Sequence, residues 1–406
     1  MTGFNPEQAM LKARREFGEH GGVAPSISRS ATFTVMEPQT MPQLFQGQCP
    51  PEQDDCFLYS RHTNPTVEVL SRYLAAMEGT EAALCTASGM SAISCALLQL
   101  CHSGAHVVAS QSIYGGSHAL LESLFPQMCI EVSFVDISDL SAVEAAMRPD
   151  TRVIYTETMG NPTLNIADLP ALSRLARPRD IKLVVDNTFS PLIFSPSQLG
   201  ADVILYSMTK YINGAADLLA GAVCADAEFI QALTDLHTGR AMLLGPTMDP
   251  RAAFDIIQRL PHLPMRMREH SRRAQAMGEM LQEMGLSVIY PGLAHHPHHA
   301  LAKELGNPGY GMGGVIALDC GSLEKAESLM NILQNQEAFG MLAVSLGYFD
   351  TLISCSGSST SSEIKAEDQQ KMGLSPGLLR ISLGYTGEMD ARMDQLRRAV
   401  TQVLLT

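Results

Sequence analysis

The side chain with the clearest capacity for chemistry is Lys210. It follows an apolar run at 201–206 (ADVILY) that predicts a buried strand, and two hydroxyl residues, Ser207 and Thr209, precede it. A free lysine has a pKa near ~10.4, so a nucleophilic role at neutral pH needs burial beside positive charge or an imine with a carbonyl cofactor. The alternative is a strand-end lysine that extends its amine to water.

A second polar residue at a strand end favours the cofactor. The apolar run at 181–185 ends in Asp186, and a short connection leads from it to the run before Lys210. If the two strands are parallel neighbours, both side chains emerge at carboxyl ends, where ligands bind in open α/β sheets. A carboxylate there pairs with a protonated pyridine nitrogen while the lysine forms a Schiff base, so pyridoxal 5'-phosphate (PLP) explains both residues, with Ser207 and Thr209 beside its phosphate.

The composition is that of a globular chain, since 46% of the 406 residues are hydrophobic and 17% are charged. The length allows two domains with substantial cores. The net charge of −14 argues against nucleic acid and anionic membranes as partners. Nine cysteines form no C-x-x-C pair, and no apolar run has the length of a signal peptide core or a membrane span. We therefore expect a soluble, cytoplasmic protein.

Regularly spaced strands and helices predict the fold class. Apolar runs predict strands at 82–85, 106–109, 131–135, 152–156, 181–185, 203–206 and 222–225, with helical segments at 67–77, 92–101, 119–124, 140–147 and 169–176. This alternation predicts an α/β domain with a mainly parallel sheet covered on both faces. Ser88, Gly89 and Met90 form the turn before the second of these helices and would offer backbone N–H groups to an anion, although a serine cap alone is common.

Residues 1–62 are rich in Pro, Gly and Gln and are interpreted as an arm that lies on another surface. Its end carries Tyr59 and Arg61, a phenol and a guanidinium suited to phosphate, or else an ordinary surface pair.

Two loop residues also have either a functional or a structural interpretation. Tyr114 could stack on a pyridine ring or pack in a turn, and Asn161 could bind a phenolic oxygen or only form the turn before its proline.

The sequence pattern changes near residue 255. We predict this point as the boundary between a PLP-binding domain (63–255) and a C-terminal domain (256–406). The arginines that follow are expected to form a solvated face: Arg259, Arg266, Arg268, Arg272 and Arg273. The histidine group at 295–299 contains a proline and no acidic or cysteine partner, so no metal site is predicted. Strands are predicted at 315–318, 341–346 and 378–383. Arg380 lies inside the last of these and needs an anion, either a substrate carboxylate or a structural ion pair.

Taken together, these motifs resemble the Cys/Met-metabolism group of fold type I PLP enzymes over nearly the whole chain. The strings that carry the resemblance are YSRHTNPT from residue 59, ASGM from 87, YGG from 114, SMTK from 207 with Asp186 upstream, and LLRISLG from 378. The group includes cystathionine γ-synthase, cystathionine lyases, O-acylhomoserine sulfhydrylases and methionine γ-lyase. Within it, ATFTVMEP from 31, LLGPTM from 243, AVSLGY from 343 and SCSGSSTSSE from 354 are most similar to plant-type methionine γ-lyases.

The resemblance implies a fold like that of aspartate aminotransferase, with a seven-stranded domain and a smaller α/β domain. It implies that Lys210 holds PLP and shuttles protons, Asp186 binds the pyridine nitrogen and Tyr114 stacks on the ring. The remaining cofactor residues would be Tyr59 and Arg61 from a neighbouring subunit, together with Ser88, Gly89, Met90, Asn161, Ser207 and Thr209. Asn161, Val344, Ser345 and Arg380 would contact substrate. The arm would thus build a shared active site in a dimer, and two dimers a homotetramer.

The resemblance also implies α,γ-elimination of methionine to methanethiol, 2-oxobutanoate and ammonia, with homocysteine and related S-substituted amino acids as further substrates. Val344 favours this because an apolar residue does not recognise the distal amino group of cystathionine. Two departures bear on it. Bacterial methionine γ-lyases carry a cysteine where this chain has Gly116, and the usual histidine of the lysine loop is replaced by Ala215. The alternatives are an O-acylhomoserine sulfhydrylase and an enzyme of the cystathionine γ-lyase or γ-synthase type.

Overall fold

The computed structural model describes residues 3–14, 16–35, 37–45, 57–355 and 375–405. In these ranges the α-helices are α1 (Pro6–Ala13), α2 (Met41–Phe45), α3 (Pro65–Glu78), α4 (Gly89–Leu100), α5 (Gly115–Ala119), α6 (Leu140–Ala146), α7 (Leu169–Ala176), α8 (Ala227–Leu233), α9 (Arg240–Leu244), α10 (Pro250–Arg259), α11 (Leu263–Glu283), α12 (His299–Leu305), α13 (Leu323–Asn335) and α14 (Met389–Leu404). The strands are β1 (Ala82–Thr86), β2 (His106–Ser110), β3 (Glu131–Val135), β4 (Thr151–Glu157), β5 (Lys182–Asp186), β6 (Val203–Ser207), β7 (Gly221–Ala225), β8 (Val288–Ile289), β9 (Val315–Asp319), β10 (Met341–Leu342), β11 (Leu352–Cys355) and β12 (Leu378–Ser382).

A seven-stranded sheet in the order β1-β7-β6-β5-β4-β2-β3 forms the centre of the N-terminal part. Only β7 runs antiparallel to its neighbours, so the predicted mainly parallel sheet is confirmed. Side chains alternate along β6. Ile204 and Tyr206 pack into one core, while Val203 and Leu205 pack into another beneath α4. Burial on both faces explains why these strands are continuous apolar runs in the sequence.

A five-stranded sheet in the order β10-β11-β12-β9-β8 lies in the C-terminal part, packed with α11, α13 and α14 around its own core. The strand predicted at 341–346 ends at Leu342. The chain then turns at Gly347, whose φ is +75° and where an added Cβ would lie 2.6 Å from the backbone nitrogen of Tyr211. This close approach, which requires glycine, brings Ser345 next to the lysine segment.

A short 3₁₀ helix that contains Pro261, Leu260–His262, separates α10 from α11. The expectation of a fully solvated arginine face is wrong for two of its members. Arg266 donates to the carbonyl oxygen of Ile212 at 2.9 Å, and Arg273 is buried with bonds to the carbonyl oxygens of Thr386 and Gly387. These arginines therefore anchor loops. None of the helices in the described ranges combines the length and apolar character that a membrane crossing requires.

Candidate active site

Lys210 lies three residues beyond the end of β6, in a turn closed by its own N–H to the carbonyl oxygen of Ser207 at 3.2 Å. Its Nζ donates to Ser345 Oγ at 3.1 Å. Burial, and secondly the nearby guanidinium of Arg380, lower the pKa of Lys210 to about 8. A lysine with this pKa is a neutral amine in an appreciable fraction near neutral pH, as covalent and acid–base chemistry require.

Asp186 ends β5, the parallel neighbour of β6, and its side chain is 7% exposed. Its Oδ1 accepts the backbone N–H of Thr188 at 2.9 Å. Burial raises the pKa of Asp186 to about 6, an effect that hydrogen bonds from Thr188 oppose. A cationic group beside this carboxyl would stabilise its charge, and a protonated pyridine nitrogen is such a group.

A cradle for an anion is formed where the first turn of α4 meets the end of β6. Ser88 caps α4, its Oγ accepting the N–H of Ser91 at 3.1 Å. An added Cβ at Gly89 would lie 2.6 Å from Ser207 Cβ, so only glycine allows the contact. The N–H groups of a first helical turn have no partner within the helix and attract phosphate. The cradle therefore fits the phosphate of PLP.

A buried carboxyl joins the loops of Tyr114 and Asn161. Glu157, the last residue of β4, accepts the N–H of Tyr114 at 2.6 Å and the N–H of Asn161 at 3.1 Å. Burial and the neighbouring Asp186 raise the pKa of Glu157 well above its ordinary value, and the two N–H groups and Arg380 oppose this. Tyr114 is 44% exposed and lines the same cavity as Lys210.

Arg380 on β12 is 3% exposed. Its guanidinium donates to Asn161 Oδ1 at 3.2 Å and to the carbonyl oxygen of Ser345 at 3.3 Å, and it forms no ion pair with a carboxylate of the described residues. Burial lowers the pKa of Arg380 to about 10. A buried guanidinium with neutral acceptors alone is suited to an incoming carboxylate. This arrangement favours the substrate alternative over a structural ion pair.

One cavity of about 210 Å³ brings most of the predicted site residues together. Its walls include Ser88, Gly89, Met90, Tyr114, Asn161, Asp186, Ser207, Thr209, Lys210, Val344, Ser345 and Arg380. Val344 and Leu219, each 69% exposed, form an apolar part of the wall. Leu219, Thr188 and Glu157 had no predicted role. Of these, only Glu157 carried a usable signal, as a polar residue at a strand end.

Neither Tyr59 nor Arg61 lines the Lys210 cavity of its own chain, and Arg61 lines a different cavity. Arg61 donates to the carbonyl oxygen of Met242 at 3.3 Å, and its guanidinium lies 5.6 Å from the ring centre of Tyr59. A single chain therefore does not bring this pair to Lys210.

The histidines at 295–299 bind backbone groups. His298 Nδ1 accepts the N–H of Ile166 at 3.0 Å, and Nδ1 of His299 lies 2.8 Å from the carbonyl oxygen of Pro291. Within the described ranges, no three His, Cys, Asp or Glu side chains are grouped so as to hold a metal ion. These histidines thus act as links between loops.

Known proteins share this architecture and sequence. The family model described as Cys/Met metabolism PLP-dependent enzyme matches residues 7–400. The methionine gamma-lyase of Arabidopsis thaliana is 52% identical, over 97% of this chain and 90% of that protein. The L-methionine gamma-lyase of Fusobacterium nucleatum subsp. polymorphum is 38% identical, over 83% of this chain and 85% of that protein.

Among solved structures, cystathionine gamma synthase from Xanthomonas oryzae pv. oryzae, in complex with aminoacrylate and cysteine, superposes with a TM-score of 0.88. It is 31% identical, and the match covers 99% of each chain. The predicted fold type I architecture is confirmed. Because the family model spans nearly the whole sequence, the chain belongs to the Cys/Met metabolism PLP-dependent enzymes.

Proposed function

We propose that this chain is a carbon–sulfur lyase that converts L-methionine and water to methanethiol, 2-oxobutanoate and ammonia. The observation that carries the proposal is the meeting of three groups in one cavity, the amine of Lys210, the carboxyl of Asp186 and the guanidinium of Arg380. An amine for covalent attachment, an acid for a ring nitrogen and a cation for a carboxylate are the three contacts that PLP and an amino acid need.

The residues that line the cavity offer a partner to each part of PLP. Asp186 would hold the ring nitrogen, Tyr114 the ring face and Asn161 the phenolic oxygen. The phosphate would bind the cradle of Ser88, Gly89, Met90, Ser207 and Thr209. When bound, PLP supplies an electron sink that makes the α-proton of the amino acid acidic.

The chain's own residues then bind the substrate and move its protons. Arg380, with Asn161 and Ser345, holds the carboxylate and so points the α-proton at Lys210 Nζ, which with a pKa of about 8 serves as the base. Lys210, once it has passed on the α-proton, takes a β-proton next, and Tyr114 Oη donates a proton to the departing sulfur. Val344 and Leu219 offer an apolar wall to the thioether methyl group, a surface that gives a distal ammonium no partner.

A second copy of the chain completes the site in this proposal. Tyr59 and Arg61 would reach the phosphate of the neighbouring subunit, which accounts for their place outside the Lys210 cavity of their own chain. The assembly would be a homotetramer built from two such dimers. We place it in the cytoplasm, where buried thiols such as those of Cys85 and Cys224 stay reduced.

Product analysis tests this function. The purified enzyme with PLP is incubated with methionine alone, with O-acetylhomoserine plus sulfide, and with cystathionine. We expect methanethiol and 2-oxobutanoate in equal amounts from methionine. Homocysteine from the second mixture, without any 2-oxobutanoate from methionine, would instead identify a sulfhydrylase, and cleavage of cystathionine alone would identify a cystathionine lyase.

A further inference from the structure

Glu157 is a buried carboxyl that the mechanism above does not use. It pairs in register with Asp186 on the adjacent parallel strand, so the two side chains leave the same face of the sheet. Its side chain is part of the wall of the Lys210 cavity on one side and of a small polar cavity on the other. Glu157 therefore separates the two spaces.

Both carboxyl oxygens of Glu157 are committed to backbone donors on different loops. Oε1 accepts the N–H of Tyr114 at 2.6 Å, at the residue that precedes α5. Oε2 accepts the N–H of Asn161 at 3.1 Å, on the loop after β4. These two residues lie 47 positions apart, and one carboxyl fixes the distance between their backbones.

The connection continues to the buried guanidinium. Asn161 Oδ1 accepts a hydrogen bond of 3.2 Å from Arg380 Nη1. A chain of hydrogen bonds therefore runs from Arg380, which would bind the substrate carboxylate, through Asn161 and Glu157 to Tyr114. Glu157, Asn161 and Arg380 are buried, so a donor among them that loses its acceptor has little access to water as a replacement.

We propose that Glu157 is a positioning residue that holds the phenol of Tyr114 in register with the carboxylate clamp formed by Asn161 and Arg380. Glutamine at this position keeps the size of the side chain but replaces one acceptor by an NH₂ group, which cannot accept a backbone N–H. One of the two loops then loses its anchor. The inference rests on the proposed function of the Lys210 cavity, which it deepens.

The first test measures the mobility of the side chain at position 114 and does not depend on catalysis. The chain contains no tryptophan, so Tyr114→Trp introduces a single fluorescent reporter. Its anisotropy is measured before and after PLP is added, in the reporter protein alone and with Glu157→Gln. We expect Glu157→Gln to lower the anisotropy in both states. The control is Glu144→Gln on α6, a carboxylate that pairs with Arg179 at the surface, which should change nothing.

The second test uses the enzyme with PLP and its native tyrosine. Glu157→Gln should lower kcat/KM for methionine by about 10- to 100-fold, the range expected when one buried N–H loses its acceptor. The apparent Kd for norleucine, which matches methionine in shape but has no sulfur, should rise as well. Glu157→Asp keeps both acceptors at a shorter reach and should give a smaller loss, and it replaces Glu157→Gln if that variant does not fold.

An unchanged anisotropy of Trp at position 114, together with kcat/KM within twofold of the native enzyme, would overturn the proposal. A lower melting temperature with native kinetics of the folded enzyme would also overturn it, because the role would then be structural alone. Failure of the native enzyme to cleave methionine is a different result. It would refute the proposed function, while the anisotropy measurement would still decide the role of Glu157.

Discussion

Lys210 Nζ donates a hydrogen bond of 3.1 Å to Ser345 Oγ. The two residues come from different parts of the fold, since Lys210 follows β6 of the seven-stranded sheet and Ser345 follows β10 of the five-stranded sheet. The carbonyl oxygen of the same Ser345 accepts from Arg380 at 3.3 Å. One residue thus brings a lysine and an arginine into the same neighbourhood, and the guanidinium helps to lower the pKa of the amine. A substrate carboxylate that neutralises Arg380 would remove part of this effect and make Lys210 a stronger base.

The attachment of PLP to Lys210 should depend on pH. The pKa of Lys210 is about 8 in the folded chain against an ordinary value of 10.5, so the rate of covalent attachment should rise with pH around a midpoint near 8. Arg380→Gln should move the midpoint upward, because one cause of the lowered pKa is lost. The measurement is the rate of absorbance change after PLP is mixed with cofactor-free protein. A native midpoint near 10.5 would contradict it.

The lowered pKa of Lys210 also predicts how the stability of the cofactor-free protein changes above pH 8. Between pH 8 and 10.5 the unfolded lysine keeps its proton while the folded one has lost it, so the unfolded state binds more protons. The contribution of Lys210 to the free energy of unfolding should therefore increase with pH in this window. Urea unfolding of the native chain and of Lys210→Met at pH 8 and at pH 10.5 measures how much the free energy of unfolding rises between the two pH values. This rise should be smaller in the variant.

Asp186→Asn should weaken PLP binding by about 10- to 100-fold, because an amide does not provide the charged partner of a protonated ring nitrogen. Since the pKa of Asp186 is raised to about 6, native affinity should also fall as the pH drops below 6. Equilibrium dialysis from pH 5 to 8 measures both effects. If the affinity of Asp186→Asn for PLP fell equally steeply as the pH drops below 6, the pH dependence would arise from another group.

Gly116→Ala should displace the ring of Tyr114. An added Cβ would lie 2.5 Å from Tyr114 Cε1 and 3.2 Å from Met90 Sδ. We expect kcat/KM for methionine to fall by about 10- to 100-fold while PLP stays bound, as for other small displacements in active sites. Gly278→Ala is the matched control, since its nearest neighbour would be Leu293 Cδ1 at an ordinary 3.5 Å. Full activity of Gly116→Ala would show that the ring has room to move.

Val344→Glu should shift the substrate preference. Val344 lies on the cavity wall with 69% of its surface exposed, so a carboxylate there fits without repacking and attracts a distal ammonium. The ratio of kcat/KM for cystathionine to that for methionine should rise at least tenfold. Val344→Leu keeps the wall apolar and should leave the ratio within about twofold. An unchanged ratio in Val344→Glu would mean that the distal end of the substrate lies elsewhere.

Much of this architecture follows from the sequence alone because buried parallel strands leave a strong signal. The apolar runs before Asp186 and Lys210 predicted β5 and β6 as parallel neighbours, and their pairing places both residues at one edge of the sheet. The two-residue strand β8 is too short to produce a pattern. The early end of β10 reflects the turn at Gly347 against Tyr211, a long-range contact that local spacing does not encode.

The part of the site that the sequence left open depends on how the loops are arranged. Glu157 stood out only as a polar residue at a strand end and received no role, because its partners are backbone N–H groups of two loops whose positions the local sequence does not give. Tyr59 and Arg61 belong to a pattern typical of phosphate binding, yet neither lines the Lys210 cavity of its own chain. A single sequence does not specify which copy of the chain a residue serves.

Chemical trapping tests most directly whether Lys210 carries the cofactor. Purified enzyme with PLP is reduced with borohydride, digested and mapped by mass spectrometry, in parallel with Lys210→Ala. We predict a phosphopyridoxyl group on the peptide that contains Lys210, none in the variant, and loss of methionine cleavage in the variant. A label on Lys182 or another lysine, or full activity of Lys210→Ala, would contradict the account.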